Sequence, residues 1–313
     1  MDFAPGSTFP CPECSAAGCK AHDTEEKTWR HLNFFQHEAH LHARTPCYVE
    51  EARAEADFSG VRCVGMDEKA SRRGHRYLTL FVDIERSRLL FATTTRESST
   101  VEAFREDLER HGGSGSQIEE FCLDMWPAYL KGIRDSFPEA RVTFDKFHVM
   151  KLLNEEVDAV RRQEQRERPE LKRSRYIWTT NPENLTPNQF ALLDMLNIQR
   201  LNLKTARAYH LRLAFQEFWS TDVAAAPAFL HHWYFWATHS RLQPMVDFAR
   251  MLRRHEAGIL RRLTSRISNG ILEGINSLVQ AAKAKARGYR STRNLIAMAY
   301  LLAGKLNFRL LST

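Results

Sequence analysis

The chain has 313 residues, of which 43% are hydrophobic and 27% charged, a composition typical of a globular protein with a substantial core. The formal net charge of +7 favours a polyanionic partner and does not by itself indicate a fold. No apolar run reaches the length of a membrane span and no signal-peptide pattern opens the chain, so we expect a cytoplasmic protein without a membrane partner.

Residues 1–50 are rich in cysteine and histidine, and they predict a small zinc-ribbon-like segment. The CPEC sequence at Cys11 and Cys14 has the spacing of a zinc knuckle. Residues 31–47 alternate polar and apolar side chains, which predicts two short strands returning toward Cys47. The second knuckle is incomplete, because Tyr-Val-Glu follows Cys47. Two alternatives stay open: the three cysteines bind Zn²⁺ with a fourth ligand, or the segment keeps its strands and holds no metal.

The pattern changes to strands near residue 61. Residues 61–67 (VRCVGMD) predict a short buried strand that ends at Asp67. Residues 77–84 and 88–95 are rich in β-branched and aromatic side chains and are joined by a short polar turn, which predicts an antiparallel hairpin. On an extended backbone Glu68 points away from Asp67, so we expect Glu68 at the surface.

A helix is predicted next, because Ser99 and Glu102 form a capping-box pattern. Its apolar positions share one helical stripe: Val101, Phe104 and Leu108. Residues 118–125 predict another strand that ends at Asp124. Pro127 then stands where a proline opens a helix without losing a hydrogen bond.

Residues 141–147 predict a fifth strand, and a long helix is expected to begin near Val149. Three strands, a helix, a strand, a helix and a strand is the element order of a ribonuclease-H-like α/β core with a mixed sheet. In that fold the first and fourth strands each carry a carboxylate, which matches Asp67 and Asp124. Residues 151–266 are helical in pattern and too many for a loop, so they predict a large all-α insertion.

The helix predicted over residues 269–286 has an apolar face and a polar face. The expected apolar face consists of Ile271, Leu272, Ile275, Leu278, Val279 and Ala282. Glu273 and Asn276 fall on the polar stripe, and cations follow along the chain: Lys283, Lys285, Arg287, Arg290 and Arg293. We interpret this stripe as a metal ligand followed by phosphate-binding residues. The alternative is a solvated face of an amphipathic helix.

Three acidic residues in three separate settings, Asp67, Asp124 and Glu273, are therefore the candidate catalytic residues. A carboxylate trio can hold two divalent cations, which is the requirement for cutting and rejoining phosphodiesters. Arg72 and Arg73 lie near the start of the hairpin and could contact phosphate, or simply form a solvated turn. This pattern indicates a DNA-processing enzyme.

Several long blocks recur in the order found in the ISL3-family insertion-sequence transposases, and the chain resembles that family from about residue 57 onward. Among the matching blocks are CLDMWPAYLKG, FPEARVTFDKFHVMKLLNEEVDAVRR and ISNGILEGINSLVQAAKAKARGYRSTRNLI. The resemblance implies a ribonuclease-H-like DDE domain whose triad is Asp67, Asp124 and Glu273, with two Mg²⁺ (or Mn²⁺) ions. Asp145 and His148 resemble an acid-x-x-His element, either supporting the site or packed as a structural pair.

The resemblance also implies partners. The expected partner is double-stranded DNA, both the terminal inverted repeats of the transposon and the target DNA. A homodimer or a larger assembly is expected to bind this DNA in the nucleoid. The N-terminal CPEC segment resembles the family's zinc ribbon. Family members usually carry a helix-turn-helix between ribbon and catalytic domain, whereas Cys47 is followed almost directly by YVEEARAEADFSG. We therefore expect a chain without the helix-turn-helix and with weak selectivity for transposon ends.

Four domains are expected. Residues 1–50 form the partial ribbon, and residues 58–150 form the first part of the catalytic core. Residues 151–266 form the insertion, and residues 267–313 form the catalytic helix with its basic tail. Three functions stay open at this level. The first is a DDE transposase that cleaves and joins strands with Mg²⁺. The second is a truncated DNA-binding derivative that inhibits transposition. The third is a metal-dependent DNA nuclease without transposition.

Overall fold

The computed structural model describes residues 48–72, 76–197, 202–265, 267, 270–289 and 291–307, together with the backbone of four short N-terminal strands. The chain divides into two compact units. The first comprises residues 1–121, 126–140 and 269–313, and the second comprises residues 122–125 and 141–268. The domain boundaries expected from the sequence stay predictions.

The N-terminal strands form two antiparallel pairs. β1 (Thr8–Phe9) pairs with β2 (Cys19–Lys20), and β3 (Thr24–Arg30) pairs with β4 (His40–Pro46). Of the two strands predicted within residues 31–47, β4 is present, but its partner lies earlier in the chain than expected. Cys11, Cys14 and Cys47 lie outside the described residues.

A mixed sheet forms the centre of the first unit. Its order there is β7 (Arg88–Thr93), β6 (Arg76–Asp83), β5 (Cys63–Arg72) and the first half of β8 (Glu120–Leu123). The predicted hairpin is confirmed, since β6 and β7 pair antiparallel. The predicted end of β5 at Asp67 is wrong. Pairing of β5 with β6 continues past Asp67 to Arg72, which places Asp67 opposite Leu80 in mid-strand.

The turn between β6 and β7 is stabilised by its own polar groups. Oδ1 of Asp83 accepts a hydrogen bond of 2.9 Å from the backbone N–H of Arg86. Ser87 adopts a left-handed backbone conformation with φ of 52°. The turn thereby reverses the chain within a few residues.

Helices of the first unit pack on both faces of this sheet. They are α1 (Tyr48–Ala54), α2 (Ser99–Arg110), α3 (Pro127–Ser136), α11 (Gly270–Lys285) and α12 (Thr292–Ala303). One face of β6 presents Leu78, Leu80 and Val82 to α11 and α12. The other face contributes Phe81, which stacks on Phe104 of α2 with ring centroids 4.4 Å apart.

The first residues of α2 and α3 test two predictions, the capping box at Ser99 and the helix start at Pro127. Pro127 is the first residue of α3, as predicted. The capping box at Ser99 is wrong: Ser98 is the N-cap residue and its side chain makes no capping hydrogen bond. The predicted apolar stripe of α2 is confirmed, because Val101, Phe104 and Leu108 are all fully buried.

In the second unit, the last two residues of β8 lie beside β9 (Arg141–Phe144). The other elements described in this unit are helices, as the sequence predicted, and the first is α4 (Lys146–Glu164). Six more α-helices follow within its described residues: α5 (Arg175–Thr179), α6 (Pro187–Leu196), α7 (Lys204–Phe218), α8 (Ala226–Thr238), α9 (Gln243–Arg254) and α10 (Glu256–Ser265). Among the described residues, no helix is both long enough and apolar enough to cross a bilayer.

Candidate active site

Asp67 accepts hydrogen bonds from two different elements of the first unit. Its Oδ1 accepts a bond of 2.7 Å from the backbone N–H of Glu68. Its Oδ2 accepts a bond of 2.6 Å from the side-chain amide of Asn276 on α11. Both oxygens therefore have a defined orientation at the centre of β5, and the side chain stays half-buried.

The faces of α11 differ from the sequence prediction at two positions. Asn276 is only 1% exposed and binds Asp67, so it does not belong to the solvated stripe. Leu278, expected on the apolar face, is 51% exposed. The helix packs on the sheet through Leu272, Ile275 and Val279, and this orientation turns Asn276 inward. Glu273 remains exposed, three residues before Asn276 and on the same side of the helix.

Glu68 is not the surface residue that alternation along an extended strand predicted. Its carboxylate accepts a hydrogen bond of 2.9 Å from Nε of Arg96 and another from the hydroxyl of Tyr129. Burial raises the pKa of Tyr129, and the bond to Glu68 raises it further. A second polar layer thus lies beside Asp67, and strand alternation alone could not reveal it, because its partners come from distant parts of the chain.

Arg96 also places a cation against aromatic rings. Its guanidinium lies 4.2 Å from the ring centroid of Trp126 and 4.6 Å from that of Tyr77. Trp126 is 41% exposed, so one side of its indole remains available to solvent. Cation–π contacts of this kind fix the orientation of both partners.

In the second unit, Asp124 follows β8 directly, where the sequence predicted it. Nδ1 of His148 lies 2.6 Å from Oδ1 of Asp124 and 3.3 Å from Oδ2 of Asp145. Asp145 is the N-cap residue of α4 and accepts from the backbone N–H groups of Phe147 and His148, at 3.1 and 3.3 Å. The helix therefore begins at Lys146, three residues before the predicted start, because Asp145 satisfies its first donors.

Carboxylates, an imidazole and an amide oxygen are suitable ligands for a divalent cation or for its bound water. Asn276 Oδ1 and Asp145 Oδ1 are both buried, and neither accepts a hydrogen bond from any part of the chain that the structure describes. A metal-bound water is a hydrogen-bond donor that would satisfy such an oxygen. In each unit, taken by itself, the residues present therefore fit a divalent cation or its bound water.

The basic residues expected to bind DNA have different settings. Lys285 and Arg287 are exposed at and just beyond the end of α11, and Lys283 is half-buried. Arg293 is exposed but forms an ion pair of 2.8 Å with Glu50 of α1, which offsets part of its charge. Arg73 and Arg290 and the side chain of Arg72 lie outside the described residues.

Comparison with known proteins decides the family. A family model described as a transposase, of the DDE type and the ISL3 group, matches residues 64–299. The chain belongs to the ISL3 transposase family. A second model, described as the zinc-finger of transposase IS204/IS1001/IS1096/IS1165, matches residues 7–49. These matches confirm the ribonuclease-H-like core and the zinc-ribbon segment that the sequence predicted.

Two transposases are similar to this chain over most of its length. It is 33% identical over 245 residues to the transposase for insertion sequence element IS1001 of Bordetella parapertussis, covering 75% of this chain and 59% of the relative. It is 29% identical over 276 residues to the transposase for IS1557 of Mycobacterium tuberculosis, covering 79% of this chain and 61% of the relative. The chain thus spans about three fifths of the length of these relatives.

Residues 50–63 separate the two matched segments. The helix in this interval is α1 (Tyr48–Ala54), which has 7 residues. A helix-turn-helix needs two helices joined by a turn. The 7 residues of α1 do not by themselves make such a motif. The expectation that the chain lacks a helix-turn-helix stays a prediction.

Proposed function

We propose that this chain is a DDE transposase that cleaves and joins DNA strands at insertion-sequence ends, with Asp67, Asp124 and Glu273 as catalytic residues. Together they would hold two Mg²⁺ or Mn²⁺ ions. The hydrogen bond from Asn276 to Asp67 is the observation that carries the proposal. It joins α11 to β5, so the helix that bears Glu273 is held against the strand that bears Asp67.

The chain's own residues have distinct roles in this proposal. Asn276 and the N–H of Glu68 orient Asp67, and His148 orients Asp124. When bound, the metal ions would activate the attacking oxygen and stabilise the leaving 3′ oxygen at phosphorus. Water as the nucleophile gives cleavage, whereas a 3′-hydroxyl gives strand transfer.

The DNA partner is supported by charge. The chain has a net charge of +7, and Lys283, Lys285 and Arg287 follow Glu273 on α11 or directly after it. Cations on the same helix as a catalytic acid can bind the phosphates that flank the reacting one. The proposed substrates are the terminal inverted repeats and a target duplex, bound by a homodimer or a larger assembly. Zn²⁺ at Cys11, Cys14 and Cys47 remains part of the proposal.

The test is a cleavage assay on insertion-end DNA with Mg²⁺. We expect Asp124→Asn and Glu273→Gln to lower the cleavage rate by roughly a thousandfold or more, since each removes a charged ligand. Asp135→Asn is the matched control, because Asp135 is an exposed acid on α3 and should leave the rate unchanged. A separate readout is the midpoint of thermal unfolding, which Mn²⁺ should raise in the wild type more than in Asp124→Asn.

The two alternative functions give different results in the same assay. Binding of end DNA with no cleavage by the wild type would indicate an inhibitor of transposition. Cleavage of any duplex regardless of sequence, with no strand transfer, would indicate a nuclease. Wild-type rates retained in both acid variants would overturn the triad.

A further inference from the structure

A cleft of about 520 Å³ lies wholly within the second unit. Two cationic side chains, Lys146 and Arg262, and the indole of Trp219 form part of its wall. The other lining residues are Ser220, Thr221, Asp222, Val223 and Leu263. None of these residues was a candidate in the sequence, because they come from α4, α10 and the connection after α7.

Two hydrogen-bond donors in this wall lack acceptors. Nε1 of Trp219 and Nε of Arg262 are shielded from solvent, and neither has a hydrogen-bond partner within the described part of the chain. Nζ of Lys146 lies 6.0 Å from the centroid of the Trp219 ring. The described residues also provide no salt bridge to Lys146 or Arg262. Buried donors without acceptors are unfavourable. Together with two cationic side chains outside any described salt bridge, they give the wall more donors than acceptors, which suits a ligand rich in acceptor oxygens.

The charges of the cleft wall favour an anionic ligand. Lys146 and Arg262 contribute two positive charges, and Asp222 is the single carboxylate of the wall. Oδ2 of Asp222 already accepts a hydrogen bond of 2.9 Å from the N–H of Ala224. Hydroxyls at Ser220 and Thr221 add polar contacts, and the indole provides an apolar surface beside the cations. A phosphate ester attached to a nucleoside combines these chemical features.

We propose that this cleft binds a phosphodiester of the transposase's DNA, with Lys146 and Arg262 contacting the phosphate and the adjoining nucleoside lying against Trp219. The inference rests on the proposed function, since it assumes a DNA substrate. The first turn of α4, which already places His148 beside Asp124, would then also bind phosphate through Lys146. Lys146 is the first residue of α4, where the helix dipole also favours an anion.

The cleft is connected to the Asp124 half of the site through that same turn. Asp145 caps α4 and contacts His148, which in turn contacts Asp124. Side chains two apart in a helix point roughly 200° apart, so Lys146 and His148 lie on different sides of the turn. The bound phosphate is therefore a positioning contact away from the phosphate that reacts.

The experiment measures binding of the full chain to duplex and single-stranded DNA as a function of salt. Lys146→Gln and Arg262→Gln should each weaken binding about fivefold or more and reduce the slope of log affinity against log salt by about 1. Arg254→Gln is the matched control, because Arg254 is exposed in the same unit and outside the cleft. Trp219→Phe keeps an aromatic ring but removes the N–H, and a loss of a few fold is expected.

Arg262→Lys keeps the positive charge, so it should retain most of the affinity that Arg262→Gln loses. This variant also separates loss of charge from misfolding. If the wild type binds DNA and both Gln variants keep its affinity and its salt dependence, the proposal that the cleft binds DNA is wrong, while the proposed function stands. Absence of DNA binding by the wild type would overturn the proposed function together with the cleft. Loss of inorganic phosphate binding in the variants without loss of DNA binding would show that the cleft takes a free anion, against the proposal.

Discussion

The side-chain amide of Asn276 donates a hydrogen bond of 2.6 Å to Oδ2 of Asp67, across 209 residues of sequence. Asp67 receives a second donor from the backbone of Glu68, at 2.7 Å. The carboxylate is thus oriented from its own strand and from α11. Oδ1 of Asn276 is buried and accepts no hydrogen bond in the described parts of the chain.

Replacing Asn276 with alanine should lower DNA cleavage by roughly tenfold or more, because an unoriented ligand binds metal less well. The same change should lower the free energy of unfolding by about 1–3 kcal/mol, since Asp67 loses a partly buried hydrogen bond. Cleavage kinetics and urea unfolding measure the two effects. Ser277→Ala, an exposed neighbour on α11, is the control. Wild-type cleavage by Asn276→Ala would contradict an orienting role.

Asp145 both caps α4 and contacts His148, and a pair of variants can separate the two contacts. Asp145→Ala removes the N-cap of α4 and should cost about 1 kcal/mol of unfolding free energy. Asp145→Asn keeps a capping oxygen, so its stability should stay near that of the wild type. Both variants lose the charge that faces Nδ1 of His148. We expect cleavage to fall in both, whereas denaturant unfolding should change only in Asp145→Ala. Equal unfolding midpoints in the two variants would show that capping does not stabilise α4.

Replacing glycine with alanine should have opposite effects on stability at two positions. A Cβ at Gly258 of α10 would lie 2.5 Å from the ring of Phe144 and 2.9 Å from the carbonyl oxygen of Val142. Gly258→Ala should therefore lower stability by about 1–3 kcal/mol. A Cβ at Gly274 of α11 meets nothing within 4 Å among the described residues. Gly274→Ala should raise stability by up to about 1 kcal/mol. Thermal unfolding of the two variants measures both, and a stabilised Gly258→Ala would contradict the packing of α10 against β9.

The thiol of Cys63 provides a pH-dependent prediction. Burial, followed by the negative charge of Glu85 and Glu120, raises its pKa from 9.0 to about 11. The folded state thus favours the neutral thiol, and this contribution to stability is complete below pH 9 and lost as pH rises toward 11. Urea unfolding should show a decline over that window that is smaller in Cys63→Ala. At pH 8, alkylation of Cys63 by iodoacetamide should be about a hundredfold slower than that of free cysteine. Equal alkylation rates would contradict the raised pKa.

Local patterns in the sequence predicted much of the fold. The hairpin of β6 and β7 follows from β-branched runs separated by a polar turn, and the start of α3 follows from Pro127. The stripe of α2 follows from helical periodicity. These features depend on residues within a few positions of one another, so periodicity and turn chemistry are sufficient. The length of β5 was not predictable in this way, because pairing with β6 sets its end.

The sequence by itself determined the element order, the helical insertion and the three candidate acids, since each is a local signal read from neighbouring residues. Only the tertiary structure decided that Asn276 turns inward to Asp67, that Glu68 is enclosed by Arg96 and Tyr129, and that His148 faces Asp124. The physical reason is that such contacts depend on how a helix is rotated against a sheet. Packing of apolar side chains such as Leu272, Ile275 and Val279 sets that rotation, and it is not a property of any single stretch of chain.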